Sequence, residues 1–327
     1  MLANRRTFKR INKKLNLSAL CVAIASTAQG AAKFSRSVLL FFGIFAFQTF
    51  PAGAALDYPR ADLLAEPAWL IANLNNPNIR IVDLRSEREY RRGHIPGATR
   101  LSLNEIRATR DGIRKMVAPL SDIEGVMGRL GIDAGTTVVA YDDSGGLHAA
   151  RLYWTLEYMG HPSVKVLNGG FGAWVSAGGK LSREIPEVEP KTFRAKLNPS
   201  VFVDAQGVLE RLGKKDAALV DARSPAEYSG EKSGSRRAGR IPGAVNIDWI
   251  EEVRLKGDRK WKSPEELRAL FESKGVTPDK EVVVYCQTLH RASHTFFTLR
   301  LLGYDKVLGY DGSWQDWGNR EDLPIER

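Results

Sequence analysis

The sequence predicts an α/β protein built from two copies of one domain, each a parallel sheet with helices on both faces. Three observations carry this. "IVDLRSEREYRRGHIPGA" (81–98) is matched by "LVDARSPAEYSGEKSGSRRAGRIPGA" (219–244), and both run Asp-x-Arg-Ser, Glu-Tyr, then Gly-(His or Arg)-Ile-Pro-Gly-Ala. "TTVVAYDDSGGLHAARLYWTLEYMGHPSVKVLNGGFGAW" (136–174) parallels "KEVVVYCQTLHRASHTFFTLRLLGYDKVLGYDGSWQDW" (280–317). Short apolar β-runs also alternate with helical patterns throughout, as parallel sheets with crossover helices require.

The first 54 residues read as an export or targeting segment. "NRRTFKRINKK" precedes two apolar runs, "LSALCVAIASTA" and "SVLLFFGIFAFQTFPAGA", and the second ends in Ala52-Gly53-Ala54, an A-x-A-like cleavage pattern. Arg5-Arg6-x-Phe8-Lys9 resembles a twin-arginine signal. A periplasmic or secreted protein, cut near Ala54, is the expectation; a retained membrane anchor is the alternative. This segment also explains the charge. Residues 1–56 hold eight of the cations and no acid, so removing them takes the formal charge from +10 to +2. An ordinary surface of that kind argues against a nucleic-acid partner.

The first domain is expected over 57–182, with strands at Ile79–Asp83, Thr136–Tyr141 and Val164–Leu167 and a capping box at Ser121-x-x-Glu124. "REIPEVEPKTFRAKLNPS" (183–200), charged and punctuated by prolines, reads as an extended linker. The second domain is expected over 201–327, with strands at Ala218–Asp221, Glu281–Tyr285 and Lys306–Leu308. Its Ser263-Pro264-Glu265-Glu266 is a second capping box, with proline at the first helical position.

Ligands of parallel sheets collect at the carboxyl ends of strands. There the copies differ: Cys286 follows the strand in the second, Asp142 in the first. With Cys21 lost in the export segment, Cys286 is the one thiol left, unable to form an internal disulfide. Between a strand end and a helix N-terminus, unsatisfied N–H groups and the helix dipole favour thiolate over thiol. Gln287, Thr288, Leu289, His290 and Arg291 form the expected active loop, its amides turned towards the sulfur and Arg291 supplying a fork for oxyanions. His290 and His294 are read as capping or solvent-facing. Asp221 and Arg223 either brace the loop or present a cation to substrate; Asp83 and Arg85 repeat them. Arg236, Arg237 and Arg240 read as a solvated basic loop. Asp142 and Asp143 read as loop solvation and helix capping, and no metal site is expected.

The Asp-x-Arg, Glu-Tyr and Gly-His-Ile-Pro-Gly-Ala motif, the Asp-Gly-Ser-Trp or Gly-Gly-Phe segment and the Cys loop together resemble the two-domain rhodanese sulfurtransferases over roughly 57–327. The resemblance implies an inactive first domain and a catalytic second one. Cys286 would attack a sulfane-sulfur donor, become a persulfide and pass the sulfur to cyanide or a thiol, with no cofactor. A redox or sulfur-acceptor protein is a further partner it suggests. Rhodanese-fold phosphatases use Cys-x5-Arg, whereas this chain has Cys-x4-Arg. The ending Arg291-Ala292-Ser293-His294 is closest to a bacterial thiosulfate-type loop, so thiosulfate is the expected donor and 3-mercaptopyruvate the alternative; a non-catalytic persulfide carrier is the third reading. Two departures stand out. Leu289 replaces the family's usual glycine, and Glu227 stands where several members place a substrate-binding arginine.

Overall fold

The structure, a computed structural model, describes residues 57–327; the expected export segment lies outside the described residues. In the first half, strands β1 (Leu64–Ala65), β2 (Ile79–Asp83) and β3 (Thr99–Arg100) precede a hairpin of β4 (Arg107–Arg110) and β5 (Ile113–Val117), then β6 (Thr137–Tyr141) and β7 (Val164–Leu167). The second half contributes β8 (Phe202–Val203), β9 (Ala217–Asp221), β10 (Val245–Asn246), β11 (Glu281–Tyr285) and β12 (Val307–Tyr310). The first sheet runs β1-β7-β6-β2-β3 and the second β8-β12-β11-β9-β10, all parallel. The order is the same in both, as duplication requires. Expected strand edges differ by one or two residues at β6, β9 and β12.

Among the described residues ten α-helices accompany the strands: α1 (Pro67–Ala72), α2 (Glu87–Arg92), α3 (Leu120–Arg129), α4 (Leu147–Tyr158) and α5 (Gly170–Ser176) in the first half. The second half has α6 (Ala205–Leu209), α7 (Pro225–Tyr228), α8 (Pro264–Glu272), α9 (His290–Leu301) and α10 (Ser313–Trp317). The Ser263 box caps α8 as expected. The Ser121 box does not form. α3 starts two residues earlier, capped at Pro119 rather than Ser121, so Ser121 lies inside it, and Glu124 instead accepts the amide of Ala195 at 2.9 Å. A lone amide on a neighbouring strand of chain outcompetes the local cap.

That amide belongs to the 183–200 segment, which is extended but strapped down. Lys191 donates its amide to Gly128, Lys196 to Met159 and Asn198 to Tyr158, and Phe193 is buried.

The halves are joined through their equivalent helices. α4 and α9 are buried on nearly every face because each lies between its own sheet and the other helix. The Tyr153 ring meets Phe297 edge-on at 4.8 Å, and Arg300 pairs with Glu157 at 2.7 Å. Asp311 adds a buried tie at the end of β12. Its carboxylate accepts the Val117 amide at 2.7 Å and the Arg151 guanidinium at 3.0 Å, both from the first half. The carboxyl end of the second sheet is therefore held by both halves.

Candidate active site

The in-register pairing of Tyr285 with Asp221 brings two strand ends side by side, with Cys286 following one and Arg223 two residues beyond the other. The start of α10 forms the floor of the cysteine loop. Trp314 donates its amide to the Cys286 carbonyl at 2.9 Å, and Gln315 donates to that of Gln287 at 3.0 Å. The Ser313 hydroxyl accepts the amides of Leu289 (2.9 Å) and Cys286 (3.3 Å) and donates to the Tyr310 carbonyl at 2.7 Å. Sequence reasoning quoted the Asp-Gly-Ser-Trp segment but gave Ser313 no role. The available signal was its alignment with Gly170, for both sit at positive φ, 52° and 56°.

Cys286 is 1% exposed, and its sulfur accepts the Thr288 amide at 3.5 Å. The equivalent place in the first half shows what the loop is shaped to hold. The buried Asp142 carboxylate accepts four backbone amides: Ser144 at 2.8 Å, Gly146 at 2.9 Å, His148 at 2.7 Å and Ala149 at 3.0 Å. The turn is an anion nest in the first copy, whereas in the second the Cys286 and Leu289 amides go to Ser313 and the Thr288 amide reaches the sulfur. The two turns differ in length, since five residues separate β6 from α4 and four separate β11 from α9.

Leu289, the departure from glycine, takes the left-handed conformation that a glycine favours, with φ 55° and ψ 0°. That geometry costs about 1–2 kcal/mol for a residue with a side chain. The fully buried side chain offsets it by reaching the main core, in a space left by Gly309, where a Cβ would stand 3.1 Å from Leu289 and 2.6 Å from Trp154. Removing a buried leucine costs about 3–5 kcal/mol. Leu289→Gly is therefore expected to lower unfolding stability by about 2 kcal/mol despite relieving strain. A stabilised variant in denaturant unfolding would show that strain dominates.

The cations are arranged differently from the expectation. Arg291 does not present an open fork; both terminal nitrogens bind the Glu227 carboxylate, at 2.6 and 2.8 Å. Glu227 is the third residue of α7 and also accepts from the Ser224 amide and hydroxyl, at 3.2 and 2.8 Å. Arg223 does not face substrate either. It is fully enclosed, bound to Asp221 at 2.6–3.0 Å and to the Gly239 carbonyl at 2.7 Å, and it lies over the Trp314 ring. Arg85 repeats this with Asp83, the Gly93 carbonyl and Phe171. These contacts tie the end of β9 to the Gly239 segment and Trp314, and the same arrangement recurs in both halves, although Nη1 of Arg223 is buried without a partner.

Burial opposes ionisation of Glu227, but the Arg291 fork and the Ser224 hydroxyl outweigh it and bring the carboxyl down to about 2 from 4.5. The folded value lies below the unfolded one, so the pair contributes stability above about pH 5 and loses it as pH falls towards about 2. Acid unfolding of Glu227→Gln should thus differ from the parent by a constant amount above about pH 5 and converge with it below. A gap that persists at about pH 2 would contradict this assignment of the charge.

The histidines are neither caps nor solvent-facing. Half-buried His290 stacks on His148 of the first half, ring nitrogens 2.9 Å apart. Burial first, then the neighbouring His148, Arg107, Arg151 and Lys115, drives its pKa down to about 2, so it is neutral at working pH. His294 is buried and links the halves. Its Nδ1 lies 2.6 Å from Glu252 and its Nε2 3.1 Å from the Gly145 carbonyl, and its ring stacks on Trp261. Glu252 also accepts from Thr295 and Thr298. These contacts join chain segments more than thirty residues apart, which no local pattern encodes.

The extra loop of the second half covers the site. Gln287 donates to the Ser235 hydroxyl at 3.1 Å, and that hydroxyl donates to the Trp314 carbonyl at 2.9 Å. Arg237 binds the Leu323 and Trp317 carbonyls and Arg240 pairs with Glu326, so both tie down the C-terminus; Arg236 is exposed.

A duplicated α/β domain with a cysteine in a strand-to-helix turn can be compared with known families. The rhodanese-like domain profile matches twice, over residues 66–177 and 204–320. The chain belongs to the rhodanese family. A thiosulfate sulfurtransferase of Azotobacter vinelandii is 38% identical to this rhodanese over 270 residues, covering 83% of this chain and 99% of that protein. The sulfur carrier protein TtuD of Thermus thermophilus is also 38% identical, over 286 residues with the same coverage. An anaerobic ergothioneine biosynthesis enzyme of Chlorobium limicola, solved with trimethyl histidine, superposes with a TM-score of 0.74 at 28% identity, over 83% of this chain and 71% of that one.

Proposed function

We propose that this rhodanese is a thiosulfate sulfurtransferase whose nucleophile is Cys286. The observation that carries it is the nest itself: one copy of the turn holds a carboxylate on four amides, and the other places a thiol at the same point. The Cys286 thiolate attacks the outer sulfur of thiosulfate, forming a new S–S bond while the old one breaks and its electron pair leaves with sulfite. The resulting persulfide is an anion one atom longer, suited to the same amides. Cyanide or a thiolate then attacks the terminal sulfur and releases the Cys286 thiolate, so the cycle closes without cofactor or net oxidation. The relatives that bear the name thiosulfate sulfurtransferase support the donor. A solved structure of EanB holding a cysteine persulfide supports the intermediate.

Incubation with thiosulfate, followed by mass spectrometry, tests the reading: one added sulfur atom on the peptide containing Cys286 is expected. No adduct overturns it. A second reading, a persulfide carrier serving a protein acceptor, is favoured by the near-complete burial of Cys286 and by the likeness to TtuD. It predicts loading from a partner persulfide but negligible turnover with small donors. 3-Mercaptopyruvate is tested as donor in the same assay. Export with cleavage after Ala54 is the proposed localisation, checked by N-terminal sequencing of the mature protein.

A further inference from the structure

We infer that Glu227 is a positioning residue that sets donor charge: by holding Arg291, it biases the Cys286 loop against doubly charged sulfane donors and towards singly charged or neutral ones such as alkyl persulfides. The inference rests on the sulfurtransferase reading and deepens it.

Arg223 and Arg291 stand beside the loop, and each is paired with a carboxylate. Arg223 is closed off by Asp221, both fully buried. Arg291 is held bidentately by Glu227, with side chains 24% and 19% exposed. Glu227 cannot swing away readily, because Ser224 grips its carboxylate as the cap of α7. A third carboxylate is close by: Asp248 is mostly buried, and burial first raises its proton affinity while Arg291 lowers it and Glu227 raises it. On the Arg291 side of the loop, donors therefore meet one guanidinium set against two carboxylates, Glu227 and Asp248, while Arg107, Arg151 and Lys115 lie on the His290 side. The loop amides not taken by Ser313, Thr288 among them, offer an attraction that suits one negative charge. A dianion must either pull Arg291 from Glu227 or bind against an uncompensated acid.

The comparison uses thiosulfate and the methanethiosulfonate anion, which present the same outer sulfur on doubly and singly charged groups, with cyanide as acceptor. In Glu227→Gln the amide still accepts from Ser224 and caps α7, but the charge is gone and Arg291 is released. The ratio of kcat/KM for thiosulfate to that for methanethiosulfonate is expected to rise about tenfold. Adding Arg291→Met to Glu227→Gln is expected to erase the gain, since the effect runs through Arg291. A purely structural role would shift both donors alike. A ratio within about threefold of the parent's, or one moving towards methanethiosulfonate, overturns the inference. Sulfur adducts on the parent Cys286 peptide, measured alongside, keep the two ideas apart: their absence with both donors overturns the sulfurtransferase reading itself.

Discussion

Cys286→Ser is expected to lose at least a thousandfold in sulfur transfer and to show no sulfur adduct, while unfolding within about 1 kcal/mol of the parent. The hydroxyl is a poor nucleophile for sulfane sulfur and forms no persulfide. The loop, however, does not depend on the sulfur for its shape. Its carbonyls are held by the Trp314 and Gln315 amides and its amides by Ser313. The sulfur itself accepts one long contact, from Thr288. Steady-state turnover with thiosulfate and cyanide checks the first half of the statement and thermal unfolding the second. Turnover within tenfold of the parent would remove Cys286 from the chemistry.

The matching position in the first half should behave in the opposite way. Asp142→Ala leaves four amides without their acceptor, those of Gly146 and Ala149 buried and those of Ser144 and His148 part-buried, two of the four in the first turn of α4. An unsatisfied buried donor costs about 1–3 kcal/mol, and water entering the emptied space recovers part of the loss. A destabilisation of about 3–5 kcal/mol is expected, or roughly 6–15 °C in Tm for a unit of this size. Asp142→Asn should recover less than half, because its NH2 group would face two amide donors. An alanine variant melting within about 2 °C of the parent would show that the nest does not need its anion. Under the proposed function, the two copies divide the work: the thiol copy carries the reacting sulfur, and the carboxylate copy uses the same turn as a structural tie.

Much of this was legible in the residues. The repeat of Asp-x-Arg, the alternation of strand and helix runs and the Cys286/Asp142 substitution all follow from patterns that lie close together in sequence or recur at a fixed offset. Strands β2, β7 and β11 begin and end where their apolar runs do. Leu289 could be flagged as occupying a position that needs positive φ, because a backbone requirement is set within the loop itself. Failures came where a side chain had a choice of distant partners. Glu124 satisfies the amide of Ala195 rather than the cap of its own helix, and His294 turns inward to Glu252 and Gly145. Ser313 comes to lie under the cysteine loop only because the fold joins segments 24 and 27 residues apart.

Sequence by itself determined the duplicated α/β architecture, the family and the position of Cys286 at a strand end, because hydrophobic period, turn residues and a repeated motif are local properties of the chain. Tertiary structure alone decided what the charges do. Arg291 reads as a free cation beside Cys286, and only when α7 packs against the loop does Glu227, 64 residues earlier, take hold of its fork. The Coulomb energy between charges depends on their separation in space and on the dielectric around them, and neither is written in the order of residues along the chain.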